Sequence, residues 1–350
     1  MADIPDEITI IILSNLPVKS LLRFKCVSES WRSLISSPTF ELSNHRRERA
    51  ITVTYTHYSV LTRWSFEENY RPLFRFINEQ LTLEELNCPL KEKGGEISVP
   101  SIDNCMFRGS CHGLILLNFK RHLFLWNPAT QSCTKVLDID DLTLRKYGSF
   151  ITTAASWGLC FDSSKNDYKV VMFIYDSVAI ASLKTKEWRR VKLPYDVCSM
   201  HSDAWITLHG RLHGRLHSKT SLKSNYRGVG LDNVIVGLGV LDECLCMTCL
   251  KSYKGFEILI MKEYGVKESW TPLFFIKDLG IGLLFGLAAP FIVTENGKLA
   301  LIIRERDSQR IVIYNPKDDN MRDIVVHGKT YLFTSVITYV ESLSSPEGYY

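Results

Sequence analysis

Three clusters in the sequence carry residue types that do chemistry in other settings. Gly109-Ser110-Cys111-His112-Gly113 has the form Gly-x-nucleophile-x-Gly, in which a thiol on a strand-to-helix elbow attacks a carbonyl. His209, His213 and His217 recur at every fourth residue, a spacing that aligns metal ligands on one face of a helix. Cys244, Cys246 and Cys249 lie close enough to invite a zinc reading. A fourth segment, Gly280 to Gly286, misses the dinucleotide glycine fingerprint by one residue. Their surroundings weaken all four. Cys111 is followed by Leu114-Ile115-Leu116-Leu117, which reads as a strand where the elbow needs a helix. Gly210 and Gly214 disfavour a helix through the histidines, Arg211 and Arg215 would crowd a cation with positive charge, and duplication of one tetrapeptide explains the spacing. The cysteine spacing is not that of paired zinc knuckles, and in a strand Cys244 and Cys246 are small hydrophobes on one face. No βαβ pattern surrounds Gly280–Gly286, and neither a Walker A segment nor His-Glu-x-x-His occurs. The expectation is a chain with no catalytic residue, no metal site and no cofactor.

The elements around these clusters divide near residue 45. Pro5 suits a helix start, Asp6 and Glu7 complement the dipole of its first turn, and Ile8, Ile12, Leu13 and Leu16 follow helical spacing. Pro17 ends that helix and opens a second through Leu21, Leu22 and Phe24. Ser28 caps a third through Trp31, Leu34 and Ile35. So small a unit cannot build much of a core and must lean on a partner. Ile10 and Ile11 make the first helix apolar nearly all round, so it is either sandwiched within the chain or docks on another protein, and the second reading is favoured.

From residue 50 the period becomes two, as in Leu123–Trp126, Lys169–Tyr175, Ile258–Met261 and Ile311–Tyr314, with turn residues between. Apolar strand, tight polar turn and second strand recur from residues 125, 180, 260 and 312, each readable as the outer hairpin of one propeller blade. The spacing is near the roughly 40–50 residues of a blade, except for the long interval from 180 to 260.

Composition excludes several classes. Of the 350 residues 45% are hydrophobic and 23% charged, with a net charge of +4, which fits a folded chain. Basic residues are dispersed, so nucleic acid is not an expected partner. The longest uncharged run, Leu279–Thr294, is interrupted by glycines and Pro290 and is too short for a spanning helix, so no membrane association is expected. Irregularly spaced cysteines, an acidic start and no glycosylation acceptor point to a reducing, intracellular location, cytoplasm or nucleus.

Ile4-Pro5-Asp6-Glu7-Ile8, the run Ile12–Ser28 and Trp31–Ile35 resemble a plant F-box. Gly109–Leu114, Leu125–Thr130, Trp157–Asp162, Asp167–Val171 and Tyr339–Leu343 resemble the F-box-associated, kelch-like domain of the family that includes S-locus and immune-regulator F-box proteins. The resemblance implies an α+β multidomain chain: a helical F-box over 1–45, a connecting segment with the first strands over 46–105, and an all-β kelch-like β-propeller over 106–345. It implies a substrate-recognition subunit of a Skp–cullin–F-box ubiquitin ligase, itself no enzyme, which binds the Skp adaptor and through it a cullin, and selects a protein for degradation. The adaptor-binding positions it assigns are Pro5, Ile8, Ile12, Leu13, Leu16, Pro17, Leu21, Cys26 and Val27, with Trp31 and Leu34 as core. Ile11 stands where the family has an acidic residue and Asn15 where it has a basic one. The passage from Val236 straight into Gly237 departs from the family as though by a deletion, so one blade is expected to be incomplete. Two rivals are an interaction scaffold or competitor that no longer engages the ligase, and a propeller enzyme or sugar-binding protein.

Overall fold

A computed structural model of the chain describes residues 5–16, 18–37, 40, 49–56, 73–77, 82–86, 105–119, 121–139, 156–174, 177–192, 205–214, 234–251, 255–277, 287–293, 296–304, 309–323, 325–326, 329–330 and 332–349. Three helices come first: α1 (Asp6–Ser14), α2 (Val18–Phe24) and α3 (Glu29–Ile35). Pro5 stands just outside α1, and its carbonyl accepts from the amides of Ile8 and Thr9. The Ser28 hydroxyl accepts from the Trp31 amide at 3.1 Å and so caps α3. Leu13, Val18, Leu21, Ile35 and Phe40 form a small core beneath these helices, with Phe24 and Trp31 in edge contact at its margin.

The rest is strand. β1 (Arg49–Thr56), β2 (Leu73–Ile77) and β3 (Thr82–Leu86) lead into four blades of four antiparallel strands in a propeller-like arrangement. The first blade is β4 (Cys105–Cys111), β5 (Leu114–Phe119), β6 (His122–Asn127) and β7 (Ser132–Asp138). The second is β8 (Ser156–Asp162), β9 (Asp167–Ile174), β10 (Ser177–Ser182) and β11 (Trp188–Lys192). After the short hairpin β12 (Ile206–Leu208) and β13 (Arg211–His213) comes the third blade: β14 (Val234–Leu241), β15 (Cys244–Lys251), β16 (Gly255–Met261) and β17 (Trp270–Lys277). The fourth is β18 (Leu287–Val293), β19 (Leu299–Arg304), β20 (Gln309–Asn315) and β21 (Asn320–Asp323). A short pair, β22 (Val325–Val326) and β23 (Lys329–Thr330), precedes β24 (Leu332–Val340). β24 pairs along β1, which pairs with β2 and β2 with β3, so strands from both ends of the chain share one sheet.

The four sequence repeats are the hairpins β6–β7, β10–β11, β16–β17 and β20–β21, in each case the last two strands of a blade. Within the long interval, the stretch between β11 and β14 holds, among the described residues, only the two-stranded β12–β13. Val236–Gly237, expected to mark a deletion, lies inside the continuous strand β14, where the register slips between Ile235 and Gly237.

Period-two alternation explains the packing. On β5, Leu114 and Leu116 face the core shared with Trp157, Leu159, Val170 and Met172 of the second blade. Ile115 and Leu117 face the opposite way, with Trp126 and with Tyr339 of β24. Both faces are covered, so Leu114–Leu117 reads as an unbroken apolar run. Neighbouring blades approach closely at their first strands: a Cβ on Gly239 of β14 would lie 2.0 Å from the Pro290 carbonyl oxygen of β18.

Candidate functional site

Helix α1 turns one face inward and leaves the others in water. Thr9 and Leu13 are buried, whereas Ile8, Ile10, Ile11 and Ile12 are 49%, 38%, 60% and 48% exposed. At about 100° per residue, Ile11, Ile8 and Ile12 form one contiguous apolar arc. The Ser14 hydroxyl and the Asn15 amide both donate to the Ile11 carbonyl, closing the helix directly beneath that arc. The turn between α2 and α3 adds exposed Cys26 and Val27, the latter 62% exposed. That turn is held by amides of Cys26 and Val27 donating to Arg23 and Phe24, and by Arg32 Nε donating to the Lys25 carbonyl. A surface of this kind performs no proton or electron transfer; it binds by being covered, at about 1.5–3 kcal/mol per isoleucine fully removed from water.

The positions assigned from the sequence fall into three groups. Pro5, Ile8, Ile12, Cys26 and Val27 are exposed. Leu16 is half-buried against the helical core, with Trp31 and Leu34. Leu13 and Leu21 have no exposed surface; they are inward positions of α1 and α2, in the core beneath the helices. Pro17 lies outside the described residues. Ile11, the most exposed isoleucine, belongs to the arc although the resemblance did not assign it; its signal was an apolar residue where the family has an acid.

The chemically suggestive clusters resolve into structure. Cys111 ends β4 and is followed by the turn His112-Gly113 and then a strand, with φ of 49° and 77°, the mirror-image turn suited to a tight hairpin. Burial, and then the neighbouring Cys160, push its thiol well above the ordinary range. Burial raises Cys160 to about 11 against the opposing pull of Lys169, so neither is a thiolate at neutral pH. His209 and His213 sit on the β12–β13 hairpin around Tyr264, whose hydroxyl lies 3.0 Å from His213 Nε2. Burial, and then the charges of His209 and Arg211, lower the His213 pKa. His217 and the Gly280–Gly286 segment lie outside the described residues. Cys244, Cys246 and Cys249 belong to strand β15, with Cys246 buried. Among the described residues no group of three His, Cys, Asp or Glu side chains is placed to hold a metal ion, and no helix is long and apolar enough to cross a membrane.

Behind the helices lies a second feature that no periodicity in the sequence marks. Leu343, beyond β24, packs in the same cluster as Leu13, Val18, Leu21, Ile35 and Phe40, with Ala129 of the β6–β7 turn against it. Asn127, fully buried at the end of β6, donates from Nδ2 to the carbonyls of Ser342 and Ser344 at 3.0 and 2.7 Å.

A helical unit with an exposed apolar arc precedes a propeller-like body of strands. Comparison with known proteins places this arrangement in a family. Residues 1–43 match the F-box domain. An F-box/kelch-repeat protein of Arabidopsis thaliana is 30% identical over 308 residues, covering 79% of this chain and 80% of its own. The F-box protein CPR1 of the same plant is 25% identical over 371 residues, covering 92% of this chain and 84% of its own. The chain belongs to the F-box/kelch-repeat family. That family supplies substrate adaptors to Skp–cullin–F-box ubiquitin ligases, and its F-box is the part that engages a Skp-type adaptor. Its members are typically non-catalytic.

Proposed function

We propose that the chain is the target-selecting receptor of such a ligase, gripping the Skp adaptor with α1 and the α2–α3 turn and a protein target with propeller loops, so that the target is ubiquitylated and degraded. The observation that carries this reading is the exposed arc of Ile8, Ile11 and Ile12 within the F-box-matching residues, on a helix whose opposite face is already buried. Pro5 precedes the arc and Leu16 follows it, Cys26 and Val27 are exposed on the α2–α3 turn, and Leu13 and Leu21 are buried in the core beneath the helices. The receptor contributes no covalent chemistry. Two simultaneous grips raise the effective concentration of target near a charged conjugating enzyme. Loops on a rigid scaffold are the natural place for the second grip. Free thiols at Cys26, Cys111, Cys133, Cys160, Cys244, Cys246 and Cys249 support a reducing compartment, cytoplasm or nucleus.

The test is calorimetric titration of the full chain with a purified plant Skp adaptor, beside an Ile8→Asp, Ile12→Asp variant. The expected result is micromolar or tighter binding, weakened about 100-fold or more by the two charges, with an unchanged melting midpoint because both positions face water. Equal binding by the variant, or none by the folded parent, overturns the reading.

A further inference from the structure

We propose that residues 341–346 form a joint that fixes the docking helices on the first blade, with Leu343 and Asn127 as its positioning residues. Leu343 is 8% exposed and lies in the helical unit's own core, although the segment that carries it belongs to the propeller end of the chain. Three short helices cannot bury enough apolar surface alone. A leucine supplied from outside is therefore part of what keeps Leu13, Leu21 and Ile35 dry.

The segment around Leu343 is pinned from below. All hydrogen-bonding positions of the buried Asn127 amide are used: Nδ2 donates to Ser342 O and Ser344 O, and Oδ1 accepts from the amides of Ala129 and Thr130 at 2.9 and 3.4 Å. The Ser342 hydroxyl donates to the His112 carbonyl at 2.8 Å and accepts from the Ser344 amide at 3.2 Å. The carbonyls on either side of Leu343 are thus both tied to β6. Tyr339 is buried against the first blade upstream of the joint, and the 3-10 helix Pro346–Tyr349 lies on β6 and β7 downstream. From α1 to the first blade the connection runs through buried side chains with no solvated step. The two motifs that carried the family resemblance in this part of the chain, Leu125–Thr130 and Tyr339–Leu343, are the two halves of this joint.

The functional consequence, that the joint sets which target lysines reach the conjugating enzyme, rests on the ligase reading above. The joint itself does not. Native-state hydrogen exchange on the full chain separates the two. The amide of Asn127 is fully taken up by residues 129–130 and 342–344, none of them in the helices, so an effect of Asn127→Asp on α1–α3 reports coupling and not local packing. Asn127→Asp and Leu343→Ala are each expected to speed exchange across α1–α3 about tenfold or more, by favouring local opening. Amides of β15 and β16 should stay protected, and Leu343→Met, which fills the same space, should restore the parent pattern. Unchanged exchange in the helices of both variants overturns the joint. Should a variant unfold throughout, seen as lost protection in β15 and β16, the parent chain in mild denaturant decides: helices and residues 341–346 opening as one unit supports the joint, and helices opening while 341–346 stay protected overturns it. Adaptor titration on the same proteins tests the ligase reading separately.

Discussion

Strand β5 and helix α1 each carry five large apolar residues, and the molecule treats them in opposite ways. Every residue from Leu114 to Phe119 is buried, because one face of the strand meets the second blade and the other meets β24. In α1, Ile8, Ile10, Ile11 and Ile12 stand in water, because among the described residues the covered face is the one carrying Thr9 and Leu13. Apolar content therefore does not decide burial; the number of covering layers does. An uncovered apolar arc of this size is what the proposed docking of another molecule requires.

The contrast can be broken most severely inside the propeller. Gly239→Val places side-chain carbon against the Pro290 carbonyl, where even a Cβ would be 2.0 Å away. Overpacking against backbone should cost upwards of about 3 kcal/mol, read as a collapse of the urea midpoint of the strand signal. Next comes the pair Leu13→Ala and Ile11→Ser, two apolar positions on one helix. The first empties a fully buried site and should cost about 2–5 kcal/mol, confined to the helices in an exchange experiment. The second should change stability by no more than about 0.5 kcal/mol. Similar losses at both positions would erase the distinction between the covered and uncovered faces.

A further effect acts on the blades through acid. Burial pushes the Asp167 carboxyl up, but the Lys169 ammonium, the Ser182 hydroxyl and the Lys184 amide outweigh it, and its pKa lies below the ordinary carboxylate value. A carboxyl depressed on folding stabilises at pH above its unfolded value, about 4, and that contribution is lost as pH falls through the lower folded value. Asp138, Asp162 and Asp319 are depressed as well, and all four lie in blades. Acid should thus loosen the blades that carry them. Asp167→Asn should cost about 1–3 kcal/mol at neutral pH and flatten the acid limb of the urea midpoint; an unchanged limb would show that this carboxyl carries none of the effect.

Much of the fold was legible because local patterns repeat. Pro5 before α1, Ser28 capping α3, and turn residues closing four hairpins each act within a few residues of where they stand. The uncovered arc of α1 was legible too, since an all-apolar helix in so small a unit has nowhere to hide. The joint was not. Asn127, Ser342 and Leu343 meet only after the propeller has brought distant segments together, and a hydrogen bond between such positions leaves no period in the sequence. The inward placement of Leu13 and Leu21 escaped for a related reason: spacing shows that residues share a face, but only the packed neighbours show which face looks inward.

Leu343 also ties the docking unit to the order in which the chain is made. The helices leave the ribosome before the propeller, and the leucine that packs into their core follows the last blade. A nascent chain that has not reached it presents the isoleucines of α1 on an unfinished support, where exposed apolar surface is a hazard for aggregation. If the joint holds as proposed, the helices gain their full support only after synthesis has reached residue 343.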